Sequence, residues 1–186
     1  MGRRVNYFPF DPDPRASAIA LDDKRLTRVF HEATMTLSKA QARLTGALGP
    51  YSPRVPIPGA LLDWVEGEGE RWFAKWTHEM MLAMIERYGQ LRVDGYACYQ
   101  KYWQLAPRFR LVEEHVPTPA TFPNLARAAV KGLDYTSWED THAAYREYMR
   151  VQWQGIDKRP CTWTTHGPPA WADDSIEGEL RRLGLL

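Results

Sequence analysis

The feature that most constrains the fold is the spacing of apolar side chains in the segment ERWFAKWTHEMMLAMIERYG. At 3.6 residues per turn, one stripe of a helix contains Trp72, Trp76, Met80, Ala83 and Arg87. Met81, Ile85 and Tyr88 widen this stripe on one side. A stripe of this breadth is typical of a helix that is covered on more than one side. We therefore predict a central helix over residues 69–88, with Gly89 as its C-terminal cap.

A second helical pattern lies near the start of the chain, after residues 1–12, which are predicted to form an extended arm. Asp13-Pro14 is a favourable helix start, because Asp accepts from free backbone N–H groups and Pro pre-sets the first helical φ. We predict a helix over residues 14–45 that is interrupted near Asp22 and ends at Gly46. Its apolar arc contains Leu26, Val29, Phe30, Ala33, Leu37, Ala40 and Leu44.

The rest of the chain predicts shorter helices and one long loop. Helices are expected at residues 60–66 and 94–106. Residues 107–136 contain four prolines and no clear period, which predicts a long ordered loop. Ser137 with Asp140 resembles a capping box and predicts a helix over residues 137–154. With no convincing strand and no internal repeat, the fold is expected to be all-α, a single compact helical domain over residues 1–186.

Composition limits the compartment and the class of protein. The chain is 44% hydrophobic and 25% charged, which is typical of a soluble globular domain. No window approaches 18 uninterrupted apolar residues, so no membrane span is expected. The N-terminus lacks the apolar run of a secretory signal. The two cysteines form no motif, which favours a reducing, cytoplasmic setting.

The charge balance bears on nucleic-acid binding. Proteins that coat nucleic acid non-specifically are strongly basic, whereas this chain has a net charge of +1. Its first 48 residues contain eight Lys or Arg and five acids, which allows a local basic surface. The chain is expected to be a monomer. The eight Trp and nine Tyr have two open interpretations: packing, or stacking on bases.

The sequence predicts neither a metal site nor a cofactor. The five histidines are scattered with no i,i+4 pair, and no Cys pair has ligand spacing. The glycines at positions 67, 69 and 89 follow no strand, which excludes a dinucleotide fingerprint and a Walker loop. Cys98 lies in an apolar helical setting and is expected to be buried rather than reactive.

The charged end of the first long helix is the strongest candidate site. At about 100° per residue, Arg25, Arg28 and Glu32 gather on one edge of the apolar arc, whereas Asp22 projects into the arc itself. A buried acid needs a partner, and Arg25 or a backbone N–H group is the candidate. Two interpretations of the edge stay open. Arg28 and Glu32 form either an ordinary surface ion pair or a partly desolvated acid–base group beside guanidinium groups that hold phosphates.

A resemblance adds to this pattern. The run LDDKRLTRVFHEA, which follows an arm ending in DPRASA, resembles the start of phage and microbial relatives of the pyrimidine-dimer DNA glycosylase called endonuclease V. The likeness continues through W…ERYG at 72–89, TFP at 121–123 and AYREY…W…RP at 144–160. Members of that family are compact α-helical proteins, so the resemblance implies the same fold class.

The resemblance also implies a reaction and its residues. Glu32 matches the family's catalytic carboxylate, and the α-amino group of Gly2, exposed by removal of the initiator methionine, matches its nucleophile. The amine would form a Schiff base with the sugar, and Glu32 would assist the proton transfers of β-elimination. Arg25 and Arg28 would hold phosphates beside an extruded nucleotide. The expected DNA-contacting residues are Lys24, Arg25, Arg28, Arg3 and Arg4.

Three functions are therefore considered. The first is a DNA glycosylase with abasic-site lyase activity on a damaged or modified pyrimidine. The second is an enzyme on the same scaffold that modifies pyrimidines in phage-type DNA through Glu32 without a Schiff base. The third is a non-catalytic helical module that binds nucleic acid or a partner protein through Arg3, Arg4, Arg25 and Arg28.

Overall fold

The computed structural model of the protein describes residues 7–52, 54, 56–107, 116–125, 128–130, 133–134, 139–155 and 161–172. Its helices are α1 (Pro14–Ile19), α2 (Asp23–Thr45), α3 (Gly59–Glu66), α4 (Glu70–Tyr88), α5 (Gln90–Asp94), α6 (Ala97–Leu105) and α7 (Thr141–Gly155). Strands β1 (Ala128–Val130) and β2 (Leu133–Asp134) pair antiparallel, and a 3-10 turn covers Ala170–Ala172. The predicted all-α class is confirmed, because helices dominate the described chain.

The predicted break in the first helical segment is present, and Asp22 is its cause. Asp13 caps α1 by accepting from the backbone N–H groups of Arg15 and Ala16. The chain leaves the helix after Ile19, and Asp22 then caps α2 by accepting from the backbone N–H of Arg25. Two short-range caps thus make two helices where uninterrupted periodicity would make one. Gly46 ends α2 in the left-handed conformation at φ 71°.

Helix α4 lies at the centre and packs against α1, α2, α3 and α5. All five side chains of its predicted stripe are buried: Trp72, Trp76, Met80, Ala83 and Arg87. The apolar arc of α2 is buried from Leu26 to Ala40, whereas Leu44, near the end of the helix, is 47% exposed. The long helices therefore pack through the faces that their spacing predicts.

The end of the predicted N-terminal arm belongs to the core. Residues 7–10 are all buried, and the ring of Tyr7 packs among Trp64 of α3, Trp76 of α4 and Tyr145 of α7. Buried aromatic side chains remove a large apolar area from water and so hold the chain firmly to the core. The arm is thus tied to the helices at Tyr7, and the six residues before it lie outside the described part of the chain.

Several predicted boundaries change in the structure. The helix expected over 94–106 begins only at Ala97, and a separate short helix, α5, precedes it. The loop expected over 107–136 contains the β1–β2 ribbon, which is too short to show as alternating hydrophobicity. Helix α7 begins four residues later than predicted, because Asp140 is itself the cap: its side chain accepts from the backbone N–H groups of residues 142 and 143. Ser137 lies outside the described residues.

The close approach of α3 and α4 at Gly69 supports a stability prediction. A Cβ at this position would overlap the indole ring of Trp64, which is buried and donates to the carbonyl of Thr121. We expect Gly69→Ala to lower the free energy of unfolding by about 1–3 kcal/mol, measured by urea denaturation. Gly59→Ala is the matched control, because a Cβ there meets no atom within 4 Å. An equal effect of both substitutions would contradict this packing argument.

Candidate functional site

The predicted charged edge of α2 contains a buried carboxylate beside an exposed cation. Glu32 is 7% exposed, and its Oε1 lies 3.1 Å from Nε of Arg28 one turn earlier. The Arg28 side chain is 62% exposed. Glu32 therefore lies at the edge of the core, and its ion-pair partner Arg28 is directed towards solvent. Because Arg28 is largely exposed, the ion pair stabilises the fold little, and the guanidinium presents hydrogen-bond donors at the surface.

Arg25 has a different environment from Arg28. Its Nη1 lies 2.6 Å from Oδ2 of Asp22, and the arginine side chain is only 15% exposed. The same Nη1 lies 3.7 Å from Sγ of Cys161. Burial lowers the pKa of the Arg25 guanidinium, but the charge of Asp22 outweighs this and raises it, so the arginine stays charged. Arg25 thus neutralises a buried acid, and the phosphate contact expected of it stays a prediction.

Asp22 has the partners that its place in the apolar arc requires. Its side chain is 1% exposed and accepts from the backbone N–H of Arg25, from the Arg25 guanidinium and from Nε1 of Trp153 on α7. Three donors satisfy the buried carboxylate. Since Trp153 lies on α7 and Cys161 in the segment after it, Asp22 and its partner Arg25 together join the start of α2 to both.

Asp23 binds that later segment directly. Its Oδ2 accepts from the hydroxyl groups of Thr162 and Thr164, at 3.0 and 2.7 Å, and its backbone N–H donates to the carbonyl of Thr162. On the other side, Oδ1 lies 3.0 Å from Nη1 of Arg87. Partial burial raises the pKa of the Asp23 carboxyl, but the threonine hydrogen bonds and the charge of Arg87 outweigh it and hold the pKa below its usual value.

Arg87 is the buried cation behind this arrangement. Its side chain is 0% exposed, and its guanidinium donates to the carbonyls of Leu21 and Ile19 as well as to Asp23. The planar fork of arginine suits several acceptors at fixed angles. Arg87 therefore fixes the turn between α1 and α2, the turn from which the charged edge of α2 begins.

The lowered pKa of Asp23 predicts a pH dependence of stability. A carboxyl whose pKa falls on folding stabilises the native state above its unfolded pKa of about 3.9, and this stabilisation is lost as pH falls through the folded value. We therefore expect wild type to be more stable than Asp23→Asn at pH 7, with the difference shrinking below about pH 4. Urea unfolding at pH 7, 5 and 3 measures it. Asp94→Asn, at an exposed site, is the control, and a constant difference for Asp23→Asn would contradict the prediction.

The structure brings together only part of the predicted site. Glu32 and Arg28 are adjacent, Lys24 is exposed on the first turn of α2, and Arg25 lies against Asp22. Gly2, Arg3 and Arg4 lie outside the described residues.

Sequence reasoning missed the connections of this helix end to the rest of the chain. Asp23, Arg87, Thr162 and Thr164 form one hydrogen-bonded group, although Asp23 and Thr164 are 141 residues apart. The placement of Arg87 in an otherwise apolar stripe is a clue to a buried cation, but nothing in the TWTT run points to its carboxylate partner.

Comparisons with known proteins give no independent assignment: no family model, no curated protein and no solved structure matches this chain. Across the part of the chain that the structure describes, no helix has the length and apolar character needed to cross a membrane. In the same residues, no three His, Cys, Asp or Glu side chains come together as a metal site would require.

Proposed function

We propose that the protein is a DNA glycosylase with associated abasic-site lyase activity on a damaged or modified pyrimidine. The observation that carries the proposal is Glu32, a buried carboxylate at the edge of the core whose partner Arg28 extends into solvent. A carboxylate shielded from water but adjacent to the surface is suited to proton transfer with a bound substrate. The family resemblance of the LDDKRLTRVFHEA run supplies the reaction.

In this reaction the Gly2 amine attacks C1′ of the target nucleotide. The C1′–N bond breaks, and the base leaves with its bonding electrons and takes up a proton. Glu32 accepts a proton from the attacking amine and passes it to the ring oxygen as the C1′–O4′ bond breaks, which gives a protonated Schiff base. Glu32 then removes a proton from C2′, and the 3′ phosphate leaves in the β-elimination. An α-amine has a pKa near 8 in model peptides, which makes it a better nucleophile at neutral pH than a lysine.

The basic residues of α2 differ in exposure, and we assign them different roles on that ground. The exposed side chains of Arg28 and Lys24 are the candidates for phosphate contacts beside the extruded nucleotide. Arg25 is assigned a positioning task, because it neutralises Asp22 at the start of the same helix. The anchoring of Tyr7 limits the reach of Gly2 to about 18 Å from that residue, since an extended chain spans at most about 3.6 Å per residue.

Borohydride trapping on abasic duplex DNA tests the proposal. Untagged protein is expected to give a covalent complex, and protein whose N-terminus is blocked by an uncleaved tag is expected to give none. Equal trapping by tagged and untagged protein would exclude the Gly2 mechanism. A C-terminal tag on the same chain controls for the presence of a tag.

The same samples distinguish the two alternative functions. A pyrimidine-modifying enzyme would leave the strand intact but change the mass of nucleosides recovered from treated DNA. A non-catalytic module would bind DNA without changing it, with an affinity that falls steeply as salt is raised.

A further inference from the structure

An open pocket of about 210 Å³ lies between α1 and the segment of residues 166–171. Ala16 of α1 and Ala20, the residue that directly follows the helix, line the pocket with small side chains. Phe10 and Trp171 line the pocket with aromatic rings whose centroids are 5.0 Å apart. The pocket thus has flat, largely apolar walls.

Two polar side chains also line the pocket, and both are held by partners. Asp11 accepts from the Arg146 guanidinium at 3.0 Å. His166 places Nε2 2.9 Å from Oε2 of Glu86, and Glu86 also pairs with Arg15 at 3.4 Å. Each carboxylate at or behind the wall therefore has a cationic or hydrogen-bonding partner within the protein.

The far wall is attached to the helices at several points. Nε1 of Trp163 donates to the carbonyl of Ala20, and Trp171 stacks on Trp153 of α7 with centroids 5.1 Å apart. Gly167 adopts a φ of 69°, which lets the chain turn into the two prolines that follow. These contacts make the pocket a preformed one, as binding sites for small molecules commonly are.

We propose that this pocket binds a neutral, planar, single-ring heterocycle of about the size of a pyrimidine base. A buried cavity of about 150 Å³ accommodates benzene, so the volume here suits one ring with a few substituents. Flat apolar walls favour a ring, and His166 with Asp11 favours one that has hydrogen-bonding edges. A charged ligand would lack a free counter-charge, because the acids are already paired.

This site is distinct from the charged edge of α2, because Glu32 and Arg28 do not line it. The proposal consequently stands or falls independently of the reaction assigned to Glu32. A protein that fails to trap abasic DNA can still bind the heterocycle here, and the converse also holds.

Titration of the full-length, 15N-labelled protein with uracil tests the proposal by NMR. We expect saturable shifts of backbone amides around residues 10–20 and 166–171, with a dissociation constant on the order of 1 mM or tighter. Benzoate and benzamidine, rings of similar size with opposite charges, are expected to bind at least tenfold more weakly. Saturable uracil shifts confined to other residues, or tight binding of either charged ring, would overturn the proposal.

Two variants locate the binding within the pocket. Ala16→Leu fills the pocket from the α1 wall and is expected to weaken uracil binding at least tenfold, whereas Ala42→Leu, at another half-buried helix position, leaves it unchanged. His166→Phe keeps a ring but removes the ring nitrogens, and is expected to weaken uracil binding severalfold without closing the pocket. Unchanged uracil affinity in a folded Ala16→Leu protein would disprove the location, and if that variant does not fold, His166→Phe decides by the same criterion.

Discussion

Arg87→Met is expected to lower the free energy of unfolding by about 3–5 kcal/mol, because it removes one partner of a buried ion pair. The substitution keeps most of the aliphatic volume but removes every donor that reaches Asp23 and the carbonyls of Leu21 and Ile19. These acceptors lie at the end of α1, in the turn that follows it and at the start of α2. The arginine side chain that reaches them is 0% exposed, so water does not replace its donors without opening the packing of α4. Urea unfolding measures the loss, with the helix signal followed by far-ultraviolet circular dichroism.

Two further variants separate geometry from charge at this position. Arg87→Lys keeps the charge but has a compact ammonium group instead of a planar fork, so we expect an intermediate loss of stability. Arg71→Met removes an exposed arginine from the same helix and is expected to change stability by no more than about 0.5 kcal/mol. A loss of less than about 1 kcal/mol for Arg87→Met would show that the buried guanidinium contributes little.

Glu32→Gln is expected to lower the rate of borohydride trapping on abasic DNA by a factor of about 10²–10⁴, the usual contribution of a general acid–base group. Glutamine has nearly the same shape and still accepts a hydrogen bond from Nε of Arg28, but it cannot take up the proton. Because the Arg28 partner is largely exposed, the change in stability is expected to be about 0.5 kcal/mol or less. Single-turnover trapping and urea unfolding of the same samples measure both quantities.

Glu79→Gln is the matched control for this experiment. Glu79 is also a buried helix carboxylate, 5% exposed, and it pairs with Arg15 and Lys75 rather than facing the charged edge of α2. We expect it to trap abasic DNA at the wild-type rate, corrected for any loss of folded protein. If Glu32→Gln traps as fast as wild type, or if both variants lose trapping equally, Glu32 is not the catalytic carboxylate.

The helices are the part of this protein that local rules predict well. Asp13 and Asp22 cap helices because their side chains reach backbone N–H groups two or three residues away. The buried face of α4 follows from 3.6 residues per turn, which places Trp72, Trp76 and Met80 on one stripe. Such features depend on neighbours within about one turn of the chain, so the residues that determine them can be read together.

The boundaries that differ from prediction depend on competition between similar local signals. Ser137 and Asp140 can both begin a helix, and Asp140 is the residue whose side chain caps α7. Gly89 ends α4, but the chain re-enters a helix at once as α5, a segment too short to show a period. In each case the alternative helix boundaries differ little in local free energy, so packing against the rest of the molecule determines which boundary forms.

By itself, the sequence determined the helical class, the buried faces of α2 and α4, the need of Asp22 for a partner, and the adjacency of Arg28 and Glu32. Only the tertiary structure decided that Trp153 donates to Asp22, that Asp23 holds Thr162 and Thr164, and that Arg87 supports the turn before α2. The physical reason is the separation of the partners along the chain. A helix brings together residues three or four apart whatever else folds, whereas a carboxylate and a hydroxyl 141 residues apart meet only where the packing of all the helices places them.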